Sequence, residues 1–181
     1  MFTGYETTGW FDEMFGADAA PRPAYAEVAR SIGRMPRATF AARTAEVGRQ
    51  YASHGITFAH GGREQTFPFD LVPRVVEQGE WDGVAAGLAQ RVRALDLFLA
   101  DIYGPRRSVL DGVVPNALVA SCGAYLRPVV GITPPGGRHI HLAGVDLVRD
   151  DNGEWRVLED NLRNPSGLSY LVQNRAFMRR L

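Results

Sequence analysis

The feature that most constrains the fold is a turn signal, Asp151-Asn152-Gly153, between two segments with the pattern of β-strands. The predicted strands cover residues 138–149 and 154–160. Asn-Gly between alternating apolar residues is the strongest short-range signal of a hairpin, because both residues tolerate a positive φ. The chain is therefore expected to contain an antiparallel hairpin near its C-terminal end.

Helical patterns surround this hairpin. The longest follows Gly79 and stops before Gly104-Pro105, and its apolar stripe is expected to be core. The stripe consists of Trp81, Val84, Leu88, Val92, Leu95, Leu99 and Ile102. Other helices are predicted over 24–32, over 37–52, within 111–122 and from about 167 to 181. A hairpin with a glycine turn is predicted over 56–67, and an irregular arm over 2–20. The pattern indicates an α+β fold with helices packed against antiparallel hairpins.

The hairpin also places oxygen ligands together. If the turn has two residues, Asp146 faces Glu159, and Asn161 faces Gly144, which has no side chain to fill the space. Facing carboxylates are destabilising unless something neutralises them, and Mg²⁺ prefers oxygen ligands of this kind. Asp146, Glu159 and Asn161 are therefore candidate metal ligands. A three-residue loop would put Asp146 and Glu159 on opposite faces, and a hairpin with solvated acids is the structural alternative.

The chain then turns through Asn164-Pro165 into the last predicted helix. Ser166 is placed to cap that helix, whose free amides can bind an anion together with the neighbouring Arg163. The alternative is an ordinary cap beside a solvent-facing arginine. The helix has no stop signal, so the chain is expected to be a piece of a longer protein.

Composition narrows the function classes. Acidic and basic residues cancel at 20 each, so no global charge attracts nucleic acid or an anionic membrane. Every basic residue except the four histidines is arginine, which excludes lysine-dependent phosphate loops or Schiff bases within this chain. The single cysteine, Cys122, fits a reducing compartment, and no apolar run reaches membrane-spanning length. A cytoplasmic protein is expected.

Three weaker candidates are set aside. Thr133-Pro134-Pro135-Gly136-Gly137 lacks the amide donors of a phosphate cradle, because prolines have none. His139 and His141 alternate on the strand face opposite Asp146, which does not favour a zinc site. Cys122 has no identifiable base, and a lone cysteine is more often buried packing than a nucleophile.

Two long segments carry a family resemblance: Ile140-His141-Leu142-Ala143-Gly144-Val145-Asp146-Leu147-Val148-Arg149-Asp150, and residues 157–170, Val-Leu-Glu-Asp-Asn-Leu-Arg-Asn-Pro-Ser-Gly-Leu-Ser-Tyr. They closely resemble the circularly permuted type 2 ATP-grasp proteins, relatives of glutathionylspermidine synthase. Upstream segments agree, among them Asp12-Glu13-Met14-Phe15, residues 67–74 and residues 91–99. The resemblance covers essentially the whole chain.

The resemblance implies the N-terminal part of a circularly permuted ATP-grasp fold, with a helical region over 1–110 and a partial catalytic core over 111–181. It implies that Asp146, Glu159 and Asn161 bind Mg²⁺ with ATP. Glutathionylspermidine synthase has an arginine where this chain has Gly144. Arg127 or Arg163 would take over its role, with Arg163 as the catalytic candidate and Arg127, Ser166 and Gly167 as nucleotide-binding candidates.

The implied reaction joins a carboxylate to an amine through an acyl phosphate, with peptide-like substrates among the candidates. In permuted members the nucleotide-gripping lysines and glycine-rich lid come later in the chain, so this chain alone is expected to be inactive. Two other interpretations stay open: a non-catalytic interaction or regulatory module that keeps the hairpin only for packing, and an incomplete product without function. The oligomeric state and the substrates are left undetermined.

Overall fold

A computed structural model describes residues 2, 4–7 and 9–179, with only the backbone for residue 60. Within that part the chain forms six α-helices and two two-stranded sheets. The helices are α1 (Ala26–Arg34), α2 (Arg37–Ser53), α3 (Gln78–Ile102), α4 (Arg107–Leu110), α5 (Asn116–Ser121) and α6 (Leu168–Met178). The strands are β1 (Thr57–His60), β2 (Arg63–Thr66), β3 (Gly144–Arg149) and β4 (Trp155–Asn161). This architecture confirms the α+β class.

The N-terminal arm is irregular, as predicted, and it is anchored by a side chain. The Asp12 carboxylate accepts the backbone N–H groups of Met14 and Phe15 at 2.8 and 2.7 Å. These bonds turn the chain so that Met14 and Phe15 are buried against Tyr25 and α1. The arm therefore belongs to a hydrophobic core.

A second core joins α2 to α6. Val47 and Tyr51 of α2 are fully buried with Phe177 of α6, and the Tyr51 hydroxyl donates to the Asn174 side chain. Tyr170 of α6 donates a hydrogen bond of 2.7 Å to a backbone carbonyl of β1. These contacts fix one face of α6 inside the core.

The β1–β2 hairpin confirms the predicted glycine turn, and the turn is tighter than predicted. His60 pairs with Arg63, which leaves only Gly61 and Gly62 between the strands. Both glycines have positive φ, 58° and 75°, as a type I′ turn requires. Side chains other than glycine would be strained at both positions.

The long helix α3 forms where predicted, but its stripe is less buried than expected. Ile102 is buried, whereas Val84, Leu88, Val92, Leu95 and Leu99 are only half-buried. Trp81 has 48% of its surface exposed. The expectation that the whole stripe is core is therefore wrong for this chain.

The described residues form two compact units. The first lies within 1–78, 148–156 and 166–181 and contains both hydrophobic cores. The second covers 79–147 and 157–165 and contains α4, α5 and almost all of α3. The division of the chain at residue 110 stays a prediction.

Two predicted boundaries are corrected. The first strand of the C-terminal hairpin begins at Gly144 and not at Arg138. The last helix ends at Met178, with Arg179 as its C-cap, instead of running on through Arg179. Residues 180 and 181, over which the helix was also predicted to run, lie outside the described residues.

Candidate functional site

The turn between β3 and β4 is a three-residue loop, not the predicted two-residue turn. The Asp150 N–H donates to the Glu154 carbonyl at 2.9 Å, and the Gly153 N–H donates to the Asp150 carbonyl at 2.8 Å. Gly153 has φ +82°, which is typical of a type I turn closed by a glycine. Continued regularly from Asp150 and Glu154, this register would place Asp146 and Glu159 on opposite faces.

The open end of the same hairpin has a different register. A Cβ built on Gly144 would lie 3.7 Å from the Cβ of Asn161, so these residues face each other. In addition, β3 has six residues and β4 has seven. One extra residue in β4 reconciles the two ends of the hairpin, and this is the definition of a β-bulge.

The exposure of β4 places the bulge at Leu158 and Glu159. Half-buried and exposed positions alternate from Trp155 onward until these two consecutive residues, which are both exposed. Asp146, opposite them, is also exposed. The bulge therefore returns Asp146, Glu159 and Asn161 to one face of the hairpin, despite the three-residue loop.

The acids of this hairpin fall into two groups. Asp160 is bound by Arg91, whose Nη2 lies 2.6 Å and Nε 2.9 Å from the carboxylate. This hydrogen bonding, with the attraction of the guanidinium charge, lowers the pKa of Asp160. By contrast, Asp146 and Glu159 are exposed and make no side-chain hydrogen bond or ion pair with the described residues. Asp160 is structural, whereas the other two are available to a ligand.

A buried carboxylate holds the segment that leads into β3. Asp96 of α3 is 6% exposed and accepts the backbone N–H groups of His139 and Ile140 at 2.8 and 2.9 Å. The hydrogen bond from Ile140, helped by those from His139 and Arg138, lowers the pKa of Asp96 against the effect of burial. These bonds explain why residues 138–143 do not form a strand.

Asp96 was not predicted as a buried residue, although the sequence around it contains a signal. Asp96 stands between Leu95 and Leu97 and lies four residues from Val92, so an acid occupies the protected side of the helix. A charged residue in such a position needs buried partners.

Pro165 fills the space beside Gly144, the position that is arginine in glutathionylspermidine synthase. A Cβ on Gly144 would lie 2.7 Å from the Cβ of Pro165, which is closer than side chains approach. The loop after β4 therefore packs directly on the β3 backbone. An arginine would not fit at position 144 without moving this loop.

The two arginines proposed for that role are accessible. Arg127 lies in a short 3-10 turn over Arg127–Val129, and Arg163 lies in the loop after β4. Both are exposed, and neither side chain has a hydrogen-bond or ion-pair partner among the described residues. Their assignment to the nucleotide or substrate stays a prediction.

The predicted cap of the last helix is wrong. Gly167 is the N-cap of α6, and no side chain makes a capping hydrogen bond there. Ser166 is exposed one residue earlier. The first amides of α6 are thus not occupied by Ser166, and a nucleotide-binding role for Ser166 and Gly167 remains a prediction.

The ligand set fits Mg²⁺ better than a transition metal. Exposed carboxylate and amide oxygens suit a hard cation that keeps several of its waters. Within the described residues no group of three or more His, Cys, Asp or Glu could hold a metal by itself. Two carboxylates with one amide match a site that substrate phosphates complete.

Two of the weaker candidates, His139 and Cys122, do not form a metal or nucleophile site within the described residues. His139 stacks on Tyr103, with ring centroids 6.0 Å apart, and does not lie in a strand. Cys122 is exposed rather than buried, so the expectation of core packing is wrong. Neither observation supplies a metal or nucleophile site.

Comparison with known families identifies the class. Residues 73–181 match the family described as circularly permuted ATP-grasp type 2. This match covers more than half of the chain, and the chain belongs to that family. The N-terminal portion of a permuted ATP-grasp fold, expected from the sequence, is thereby confirmed.

The relatives are longer proteins. An uncharacterised protein of Mycobacterium tuberculosis is 45% identical over 185 residues, which span all of this chain and 34% of the relative. One of a Synechocystis strain is 41% identical, spanning 97% of this chain and 37% of the relative. A Frankia casuarinae protein, provisionally named a glutamate–cysteine ligase, is 42% identical over 94% of this chain and 20% of its own length. The chain thus spans a fifth to about a third of these proteins.

Among the described residues, no helix combines the length and the apolar character that crossing a membrane demands.

Proposed function

We propose that this chain supplies the magnesium-binding hairpin of an ATP-dependent ligase that joins a carboxylate to an amine. The observation that carries the proposal is the shared exposed face of Asp146, Glu159 and Asn161. All three are oxygen ligands without partners among the described residues. The neighbouring Asp160 is already neutralised by Arg91. A metal site requires oxygen ligands that are free to bind, and these three side chains meet that requirement.

The side chains have separate roles in this proposal. Asp146, Glu159 and Asn161 would hold Mg²⁺, and Arg163 would orient an anion, either a phosphate or the substrate carboxylate, through its planar guanidinium. Arg127 and the amides near Ser166 and Gly167 would contact the nucleotide. When bound, magnesium–ATP would supply the phosphoryl group that activates the carboxylate. The protein contributes mainly positioning and charge neutralisation.

The reaction class rests on the family and on one relative's name. The Frankia protein is named for joining glutamate to cysteine, which is a carboxylate–amine ligation. We propose the same class here, with amino-acid-like or peptide-like substrates and a cytoplasmic location. Because the chain spans about a third of its uncharacterised relatives and contains no lysine, the other phosphate contacts would come from the remainder of such a protein.

A metal titration tests the hairpin directly. Mn²⁺, which shares the oxygen ligands of Mg²⁺, is titrated into the 181-residue chain and followed by electron paramagnetic resonance, and thermal melts are recorded with and without Mg²⁺. Asp146→Asn and Glu159→Gln should each weaken Mn²⁺ binding and reduce the melting shift that Mg²⁺ causes. Asp160→Asn is the matched control, because its side chain is held by Arg91.

The control has a distinct expected result. Asp160→Asn should lower the melting temperature without metal, because it weakens the Arg91 pair, but it should leave the Mn²⁺ affinity unchanged. If Asp160→Asn weakens Mn²⁺ binding as much as the other two variants, the assigned face of β4 is wrong. Absence of Mn²⁺ binding to the unmodified chain would favour a non-catalytic module.

Arg163 is tested in a longer, active form of the protein. Arg163→Lys keeps the charge but loses the planar fork, so activity should fall while the melting temperature is retained. Unchanged steady-state kinetics would show that Arg163 is a solvent-exposed residue without a part in the reaction.

A further inference from the structure

A cavity of about 600 Å³ lies in the first unit, and none of the proposed metal ligands lines it. Its size is within the range of small-molecule sites. Its walls are strongly aromatic, with the rings of Phe2, Tyr5, Phe11, Phe15 and Tyr25. The segment 12–15, one of those that carry the family resemblance, also lines it. The cavity therefore combines aromatic rings with polar groups from that segment.

Two of the acids that line the cavity are already used. Asp12 accepts the Tyr5 hydroxyl at 2.7 Å on one oxygen and two backbone N–H groups on the other. Glu13 is bridged by two arginines, with Arg74 Nε at 3.1 Å and Arg149 Nε at 3.0 Å. Glu13 is paired with cations and Asp12 is hydrogen-bonded through both of its oxygens, so both carboxylates have little capacity left for a ligand.

Two lining groups of opposite charge remain open. Asp70 accepts the Val72 N–H with one oxygen, at 2.9 Å, and its other oxygen has no partner among the described residues. Arg74 is 58% exposed, and beyond its ion pair with Glu13 its guanidinium makes no hydrogen bond with the described residues. Asp70 and Arg74 do not form an ion pair with each other, although both line the same cavity. The cavity thus offers one free carboxylate oxygen and one free guanidinium edge beside aromatic rings.

We propose that this cavity binds a zwitterion of the amino-acid type with an apolar side chain. Arg74 would bind the ligand's carboxylate, Asp70 would bind its ammonium group, and the aromatic rings would contact its side chain. A ligand with only one of these charges would leave the opposite group of the site without a partner, which costs binding energy. The site rests on its own residues and does not depend on the metal hairpin, although a ligand with both a carboxylate and an amine suits the proposed reaction class.

The ligand requirement is tested without metal or nucleotide. Three probes share a phenyl ring: L-phenylalanine carries both charges, 2-phenylethylamine only the ammonium, and 3-phenylpropanoate only the carboxylate. Each is titrated into the 181-residue chain by isothermal calorimetry, with saturation-transfer NMR to detect ring contact. L-phenylalanine should bind roughly tenfold or more tightly than either of the others, a difference of about 1.4 kcal/mol, since each of the others lacks one charged hydrogen bond. No detectable L-phenylalanine binding, or equal binding of the amine alone, would overturn the proposal.

Variants assign the two charges. Asp70→Asn should weaken the binding of L-phenylalanine and leave that of 3-phenylpropanoate unchanged. Arg74→Gln should weaken the binding of L-phenylalanine and leave that of 2-phenylethylamine unchanged. Asp111→Asn and Arg37→Gln are exposed matched controls that do not line the cavity and should leave all affinities unchanged. Arg74 also pairs with Glu13, so Arg74→Gln could lower the melting temperature of the chain. In that case Arg74→Lys, which keeps the charge, serves as the second variant. If neither Asp70→Asn nor either Arg74 variant changes L-phenylalanine binding, the assignment of the site is wrong.

Discussion

Replacing Asp96 tests the link between α3 and the segment before β3. Asp96 is 6% exposed, and its carboxylate accepts two backbone N–H groups, at 2.8 and 2.9 Å, and a further hydrogen bond of 3.4 Å from Arg138. Asp96→Ala removes this acceptor and leaves the amides of His139 and Ile140, both partly buried, without a partner. Asp96→Asn keeps one acceptor oxygen but loses the charge.

The expected loss follows from these two bonds. Hydrogen bonds to a charged group contribute about 1.5–3 kcal/mol each, and a loosened segment recovers part of that with water. We expect Asp96→Ala to lower the free energy of unfolding by about 2–4 kcal/mol and Asp96→Asn by about half as much. For a chain of this size, 1 kcal/mol shifts the melting temperature by roughly 2–4 °C, so Asp96→Ala should melt roughly 4–16 °C lower.

Thermal melts and urea titrations measure the loss, with exposed Asp111→Asn as the control. The pH dependence checks the cause. The folded state lowers the pKa of Asp96, so its contribution is complete above the unfolded value near 4 and is lost as pH falls through the folded pKa. The gap between the native chain and Asp96→Asn should therefore narrow below about pH 4. An Asp96→Ala chain as stable as the control would refute this account of the segment.

Three further outcomes follow from the structure. Gly153→Ala should lower stability by about 1–3 kcal/mol in urea denaturation, because the residue has φ +82° and a Cβ would overlap the Phe11 ring; native stability would contradict the described turn. Gly144→Ala should weaken Mn²⁺ binding and lower the melting temperature, because its Cβ would displace Pro165, whereas Gly48→Ala in α2, with open space around it, should do neither. The purified 181-residue chain should release no ADP from magnesium–ATP in a coupled assay, and clear magnesium-dependent release would show that the phosphate contacts are complete within it.

The face of the hairpin that carries Asp146, Glu159 and Asn161 depends on two features that the local sequence did not predict, the length of the loop and a bulge. Asn152-Gly153 identified the hairpin, but the length of its loop depends on the hydrogen bonds of Asp150, which no local pattern specifies. The longer loop moves the pairing of the two strands by one residue, and the bulge at Leu158 and Glu159 offsets that change. A bulge leaves no clear signal in a single sequence, because both of its residues suit an exposed strand.

Local sequence patterns were enough to predict most of the helices and strands and the family. Helical periodicity located α1, α2 and α3, glycine turns located both hairpins, and residues 140–150 and 157–170 carried the family resemblance. These are local properties, since periodicity and turn chemistry act over a few neighbouring residues.

Which acids are structural and which are free becomes clear only from the folded chain. Asp96 and Asp160 resemble Asp146 in the sequence, yet Asp96 is bound by amides more than 40 residues away and Asp160 by Arg91, 69 residues away. The cavity lined by residues from Phe2 to Arg74 arises in the same way, because the segments that line it meet only when the chain folds. Hydrogen bonds and ion pairs depend on the distance between two groups in space. For residues tens of positions apart, the sequence does not give that distance.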